Sequence, residues 1–427
     1  MHINTAALAV ACYATAIGAQ TPGVARGDTI VLSRRSAIGA ALRNNPQLEV
    51  GREQTAQARA RRVSAVAIPD PQLTYSLDNQ PGFLQLGNAG QRNASLSLAV
   101  PFPDKFRLRN SIGTADIRSF ESAYSALRQQ IAAQTSRSYD SLLVAIKHRE
   151  DFKLTRDLAA DFLKKTQARF DAGTGARLDV ILARVALAQA ENDLIASERD
   201  VSVAEDALDR LVGQPVGTPV VAGDTLSVPP PLPALEVLLG DAQRDLPELA
   251  QLSSERASAR AMTTLAREYW LPDLAISAQR DYGPEGTGAL FSAGLALPVP
   301  FFHWSHVRGE IAESVHRERE LSATNRDLQA QIAQDVRAAY ASASTSLRQA
   351  VYLRDELLPS AREAYRVASV SYSLGGSSAL DVLDAQRSLI DAQTQFADAL
   401  AAANSARADL SLAVGRSAEA FDLGRAP

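Results

Sequence analysis

The stretch "RFDAGTGARLDVILAR", Arg169 to Arg184, sets two glycines and an aspartate between two long tracts of helical composition. A second stretch, "SYSLGGSSALDVLDAQ" from Ser371 to Gln386, reads as a copy of it. Leu178-Asp179-Val180 recurs as Leu380-Asp381-Val382, 202 residues further on. At the same spacing Gly173 matches Gly375, Leu208 matches Leu410, and Val212-Gly213 matches Val414-Gly415, so no gap is needed across the tract. Upstream, "RNNPQLEV" at Arg43 matches "RDLPELAQ" at Arg244, and "PQLTYSL" at Pro71 matches "PDLAISA" at Pro272. The chain is an internal duplication, and such a repeat must be recognised before any fold is assigned.

Each half has the same order of elements. A helical pair is broken at Pro46 or Pro247, and two short alternating segments follow. In "PQLTYSLD" Leu73, Tyr75 and Leu77 share one parity while Thr74, Ser76 and Asp78 share the other, the period of a strand with one apolar and one polar face. "NASLSLAV", "PDLAISAQR" and "ALFSAGLAL" alternate in the same way. The connecting segments are rich in turn formers, so each pair reads as a hairpin. Prolines in "VPFPDKF" and "LPVPFFHW" end strand pairing, since proline cannot donate to a ladder.

From about Asp104 to Phe170 the chain then reads as one proline-free helix; its counterpart from about Ser305 to Tyr372 is interrupted only by Pro359. At 1.5 Å per residue such helices reach about 100 Å, too long for a compact globular domain. The returning helices carry heptads. Val180, Leu187, Leu194, Val201 and Leu208 alternate with Ala183, Ala190, Ser197, Ala204 and Leu211. Val382, Leu389, Phe396, Ala403 and Leu410 do so with Ala385, Ala392, Ala399, Ala406 and Ala413. A sustained seven-residue period means coiled-coil packing, and the small second set allows close approach.

These signals divide the chain. Residues 1–19 are expected to be a signal peptide, residues 20–213 the first repeat (strand hairpin 71–100, helical hairpin 104–213, tip turn 171–178) and residues 214–232 a Pro/Gly-rich linker. Residues 233–415 are the second repeat (strand hairpin 272–298, helical hairpin 304–415, tip turn 373–380), and 416–427 a tail. Cys12 within the leader is a weak match to a lipidation site. No run of ~18 apolar residues follows it, so a membrane span has to be β-barrel. Four strands are too few, because small barrels use about eight, and closure needs several chains.

Composition narrows the functional classes. A net charge of −4 with 46% hydrophobic residues argues against disorder and against nucleic-acid binding. One cysteine leaves no disulfide framework or thiolate cluster. His303 and His306 form an H-x-x-H pair beside Phe301, Phe302 and Trp304, but two imidazoles are half of a tetrahedral site, and the setting reads better as an interfacial aromatic belt. "GTGARLDV" lacks the Lys-Ser/Thr ending of a phosphate loop. No nucleophile, base and orienting residue share a motif, so the chain is expected to be no enzyme and to need no cofactor.

Over nearly its whole mature length the chain resembles the outer-membrane factor family, the TolC-like channels. The resemblance rests on the duplicated element order and on the motifs "RFDAGTGARLDV" and "SYSLGGSSALDVLDAQ". "LPVPFF" leading into "GEIAES" also looks like the CzcC-type branch, associated with heavy-metal cation efflux. The resemblance implies an α+β membrane protein that forms a homotrimer, with a 12-stranded outer-membrane barrel and an α-helical tunnel through the periplasm. Its implied partners are a periplasmic adaptor, an inner-membrane pump of the resistance-nodulation-division type, and outer-membrane lipid. A soluble periplasmic coiled-coil adaptor or scaffold is the alternative that the long hairpins alone allow.

By the same resemblance the glycine turns, with Gly173, Gly175, Gly375 and Gly376, lie at the periplasmic tip where the adaptor docks. Asp381 and Asp384 match two acidic positions lining the tunnel's constriction, which threefold symmetry would turn into carboxylate rings. The competing reading of Asp381 is a carboxylate complementing a helix dipole. Tyr372 and Asp179 match positions that link neighbouring hairpins in the closed state; packing and capping are their plainer roles. Ser377 stands where the family's best-known members carry an arginine, and Arg177 is the candidate substitute. All four glycines are expected to adopt backbone conformations closed to other residues.

Overall fold

A computed structural model of the chain describes residues 30–78, 91–283, 286–296 and 304–416. The expected leader with Cys12, and His303, lie outside those residues, as does "LPVPFF". The first repeat comprises strand β1 (Ile30–Leu32), helices α1 (Arg34–Asn44) and α2 (Pro46–Ala65), strands β2 (Gln72–Asp78) and β3 (Gln91–Val100), and helices α3 (Pro103–Asp171) and α4 (Arg177–Val212). Strand β4 (Val220–Ala222) lies between the repeats, and the second comprises α5 (Leu235–Asp245), α6 (Pro247–Arg267), β5 (Asp273–Gly283), β6 (Gly286–Ala296), α7 (Trp304–Tyr352), α8 (Leu358–Ser373) and α9 (Ala379–Ala413). Pro46, Pro103 and Pro247 each open a helix, where a missing N–H costs nothing.

Pro359 acts differently from its expected simple break. The helix widens into a π turn over Leu353–Leu357 between α7 and α8. Proline supplies no donor to the carbonyl four residues back, and a wider turn absorbs that loss without ending the helix.

The four long strands form one antiparallel sheet in the order β2-β3-β5-β6. Its register puts Leu73 beside Leu96, Leu98 beside Ile276 and Val100 beside Leu274, while Thr74 faces Ser95 and Ser97 faces Ser277. Because successive residues alternate faces, one side of the sheet is aliphatic and the other is serine- and threonine-rich. The aliphatic side is open in the single chain, with Leu73 77% exposed and Tyr75 60%. Among the described residues no helix is long and apolar enough to cross a membrane.

Helices continue the sheet's order. Next to it they run α2, α3, α6, α7, each packed on its neighbour; further away the order is α4, α3, α9, then α7 and α8. None of the twenty heptad positions on α4 and α9 is exposed. Leu208 and Leu410, repeat equivalents, are both fully buried, each in its own repeat's cluster.

Halfway along the helices the chain closes on itself. Gly213 (φ +76°) ends α4 against Asn44 at the α1/α2 break, and Gly415 (φ +77°) follows α9 against Asp245 and Leu246 at the α5/α6 break. Asn45 caps α2 through Gln47 N (2.9 Å) and donates to the Leu211 carbonyl (3.0 Å). The expected linker is not bare: it contains β4, which pairs in parallel with β1. Strands of three residues carry no readable period.

Tyr139 ties that pair to α3. Fully buried, its hydroxyl donates to the Leu32 carbonyl (2.8 Å) and accepts from Asp224 N (3.3 Å). Burial pushes its pKa up to about 12, so the donor proton is held. Tyr139→Phe removes the bonds to both the Leu32 carbonyl and Asp224 N, while the Leu32 carbonyl keeps Gly223 N. The expected cost is about 1–2 kcal/mol, read as a lower denaturation midpoint of the detergent-solubilised protein.

Candidate functional site: the paired hairpin tips

The two tips share one turn. After α3, Gly173 N bonds the Phe170 carbonyl (2.9 Å) and Thr174 N the Arg169 carbonyl (2.9 Å); after α8, Gly375 N bonds Tyr372 (3.0 Å) and Gly376 N bonds Ser371 (2.8 Å). Gly173 (φ +75°) and Gly375 (φ +82°) occupy the left-handed region, as helix-terminating glycines do. Gly175 and Gly376 do not. A Cβ at Gly175 would lie 3.0 Å from Phe170 N, a backbone atom, so space rather than φ favours glycine there; at Gly376 the close neighbour is the Ser371 hydroxyl (2.9 Å), which can rotate away.

Although Asp179 and Asp381 are repeat equivalents at the third residue of their helices, they do different work because the residue before each helix differs. Ser378 precedes α9: its N and Oγ both donate to Asp381 Oδ2 (2.8 Å each), and Oγ accepts from Asp381 N (3.2 Å). This is a capping box, and the Ser378 backbone bond, then its hydroxyl, holds the Asp381 carboxyl below its ordinary value. Ala176 precedes α4 and has no hydroxyl to offer. Asp179 is therefore left to accept from the Tyr372 hydroxyl (3.4 Å). Asp384, one turn beyond Asp381 on α9, is exposed in the single chain.

Tyr372 is 2% exposed and belongs to a cluster with Phe162, Ala183, Ala379 and Val382. Its ring centroid lies 5.3 Å from that of Phe162. Burial, then the neighbouring Asp179 charge, raises its pKa. The guanidinium of Arg169 sits 4.5 Å over the ring and donates to the Tyr372 carbonyl.

The cation beside Tyr372 is therefore Arg169 and not Arg177. Arg177 opens α4 at the positive end of its dipole, is exposed, and makes no hydrogen bond or ion pair among the described residues. Arg169 stands in the last turn of α3, where a cation is favoured. Ser377, lacking the arginine, donates to the Ala368 carbonyl of its own hairpin (3.1 Å). The only trace of Arg169's role in the sequence is a basic residue at a helix's end; its partner lies 203 residues away. His306 is exposed and reaches Glu310 one turn on (3.2 Å).

Comparison with known proteins matches both repeats. A family model for "Outer membrane efflux protein" covers residues 37–214 and 238–416. The chain is 25% identical to the cobalt-zinc-cadmium resistance protein CzcC of Cupriavidus metallidurans over 90% of each chain. It is 24% identical to the alkaline protease secretion protein AprF of Pseudomonas aeruginosa, over 88% of this chain and 82% of that one. Among solved structures, the outer-membrane channel OprN superposes with a TM-score of 0.76 at 18% identity, covering 90% of each chain. The channel CusC does so with a TM-score of 0.74 at 18% identity, covering 91% of this chain and 94% of its own.

Proposed function

The chain belongs to the outer membrane efflux protein family, and from that premise we propose that three copies join edge to edge into one closed duct. A family of outer-membrane channels that work with a periplasmic adaptor and an inner-membrane pump leaves no place for the soluble-scaffold alternative. The observation that carries the trimer is the sheet. Strands β2 and β6 each have one edge unpaired among the described residues, and the aliphatic face is uncovered. Open edges are not tolerated in lipid. Three copies give twelve strands, with lipid on the aliphatic face and water on the serine-rich one. The helices at the chain's margins, α2 and α4 on one side and α7 and α8 on the other, then meet those of the next copy.

In this duct the tips face the periplasmic partners. Phe170, Leu178, Leu374 and Leu380 are all exposed there, an apolar end for an adaptor to cover. Asp384 forms a ring of three carboxylates at the entrance with Asp381 stacked one turn away. The Asp179–Tyr372 contact belongs to the closed state. Energy comes from the inner-membrane pump, of the resistance-nodulation-division type. We infer that the cargo is a metal cation, as in the cobalt-zinc-cadmium resistance relative, since a carboxylate ring concentrates cations.

The test is fractionation. Heat-modifiable trimers are expected in the outer-membrane fraction; a soluble periplasmic monomer would overturn the duct. Loss of the gene should raise sensitivity to cobalt, zinc or cadmium, and unchanged sensitivity to all three would remove the metal assignment while leaving the channel.

A further inference from the structure

Between α6 and α7 lies a groove of about 760 Å³, lined by Arg256 of α6 and by Arg319, Ser322, Asn325 and Arg326 of α7. The one carboxylate among its lining residues, Glu318, is taken by Arg260 (3.1 Å). Arg256 Nε is buried and has no hydrogen-bond partner. Guanidinium groups left over in a polar recess are matched by carboxylates, which accept two parallel N–H bonds from each planar fork.

The duplication isolates what is special to this groove. Residues 201 positions apart share burial in this part of the wall, as Ala58 does with Ala259 and Ile131 with Ile332. In the first repeat the corresponding groove, between α2 and α3, is closed. Tyr124 stands where Asn325 does and packs on the cluster of Ala41, Leu48 and Ile131. Glu121 stands where Ser322 does and pairs with Arg59 (2.9 Å). Thr55 and Ser125 occupy the places of Arg256 and Arg326. The second repeat therefore has an open recess and two further cations where the first has a ring and a carboxylate. Helix α3 is packed by both α2 and α6, yet Arg118 and Ser125 stay exposed on it. Their equivalents Arg319 and Arg326 thus remain accessible when the next copy packs on α7.

A second cavity, bordered by α3, α6 and α7, fixes the direction. It is lined by Lys105 and Arg317, and Lys105 reaches Asp273 (2.8 Å), which shares the sheet's serine-rich side with Ser277. Arg319 follows Arg317 by two residues, about 200° round the helix, so the arginine groove opens on the opposite side, the outside of the duct. Along the helix Arg319 and Arg326 stand about 22 and 33 Å from Trp304, where α7 leaves the sheet. That is beyond the reach of lipid headgroups, and about 70 Å short of the tips.

We propose that this groove binds the free carboxylates of cell-wall peptides, tying each copy of the duct to the wall between the membrane and the adaptor. The outward direction rests on the duct reading. A polymer that repeats its acidic peptides supplies many weak ionic contacts, and three grooves per trimer turn them into firm attachment.

The test is co-sedimentation of the purified, detergent-solubilised protein with isolated cell-wall sacculi. The unaltered protein is expected to sediment with them. Arg256→Gln should bind about fivefold more weakly, and the triple variant with Arg319→Gln and Arg326→Gln about 50-fold. Arg118→Gln, on the closed first groove, should change binding by less than about twofold. Sacculi whose carboxylates have been amidated should lose the protein. Triple-variant binding equal to that of the unaltered protein, or undiminished binding to amidated sacculi, would overturn the proposal. Release by inorganic phosphate at matched ionic strength would make this a free-anion site, and capture by phosphatidylglycerol vesicles through the same arginines a lipid site; either outcome removes the wall assignment. If Arg256→Gln does not fold, Arg319→Gln with Arg326→Gln, both on the exposed face, decides. The groove lies within one chain, so a protein that sediments with sacculi but forms no heat-modifiable trimers strikes at the duct reading alone.

Discussion

Asp384→Ala trimers should conduct in planar bilayers with block by divalent and trivalent cations weakened by roughly 10- to 100-fold, since each carboxylate–cation contact is worth on the order of 1 kcal/mol even in water. The ring would lose three carboxylates at once, and Asp384 is the cleaner of the two acidic positions to remove. Among the described residues it bonds neighbours only through its backbone, accepting from Ser388 Oγ (3.0 Å). Asp381→Ala removes charge and also dismantles the capping box with Ser378, so its phenotype mixes electrostatics with a loosened start of α9. Asp381→Asn keeps an acceptor for Ser378 and isolates the charge. The expected order of lost block is therefore Asp384→Ala above Asp381→Asn, with the double variant largest. Wild-type block in the Asp384→Ala trimers would take the entrance ring away from this residue.

The same tip shows what could be read from the sequence and what could not. Long periodic signals were legible: α3 spans Pro103–Asp171 where helical composition runs from Asp104 to Phe170, and the strands fall on the alternating segments. The duplication was legible because both tips keep the same hydrogen-bonded turn. The division of labour between equivalent residues was not. Whether Asp179 or Asp381 caps its own helix turns on Ala176 against Ser378, a one-residue difference whose consequence appears only when Tyr372 arrives from 193 residues away. The Arg169 contact is hidden for a related reason, since a cation at a helix's end satisfies a local rule and gives no hint of a distant ring. The β1–β4 pair and the Tyr139 hydroxyl contact are likewise tertiary facts, written in three-residue strands too short to show a period.

The largest stability effect is expected from Gly213→Ala, at about 3 kcal/mol per chain, from two separable causes. The first is conformational: φ is +76°, where a Cβ costs roughly 1–2 kcal/mol. The second is crowding. The new Cβ would lie 2.7 Å from the Asn44 carbonyl oxygen, an atom of the backbone at the α1/α2 break that cannot rotate away as a side chain would. Relief would require moving α4 off α1, opening the buried cluster that holds Leu208 and Val212. Gly217→Ala is the control. It has φ +88° with nothing within 4 Å of the added atom, so it carries the conformational cost alone, about 1 kcal/mol. Gly415→Ala should fall between them, because its nearest neighbour, Leu246 Cα, is 3.0 Å away. Denaturation midpoints of the three variants in detergent measure the order directly. Equal shifts for Gly213→Ala and Gly217→Ala would mean that α4 yields at no cost, and that the closure of each repeat onto its own helix break is not what fixes the long hairpins at mid-length.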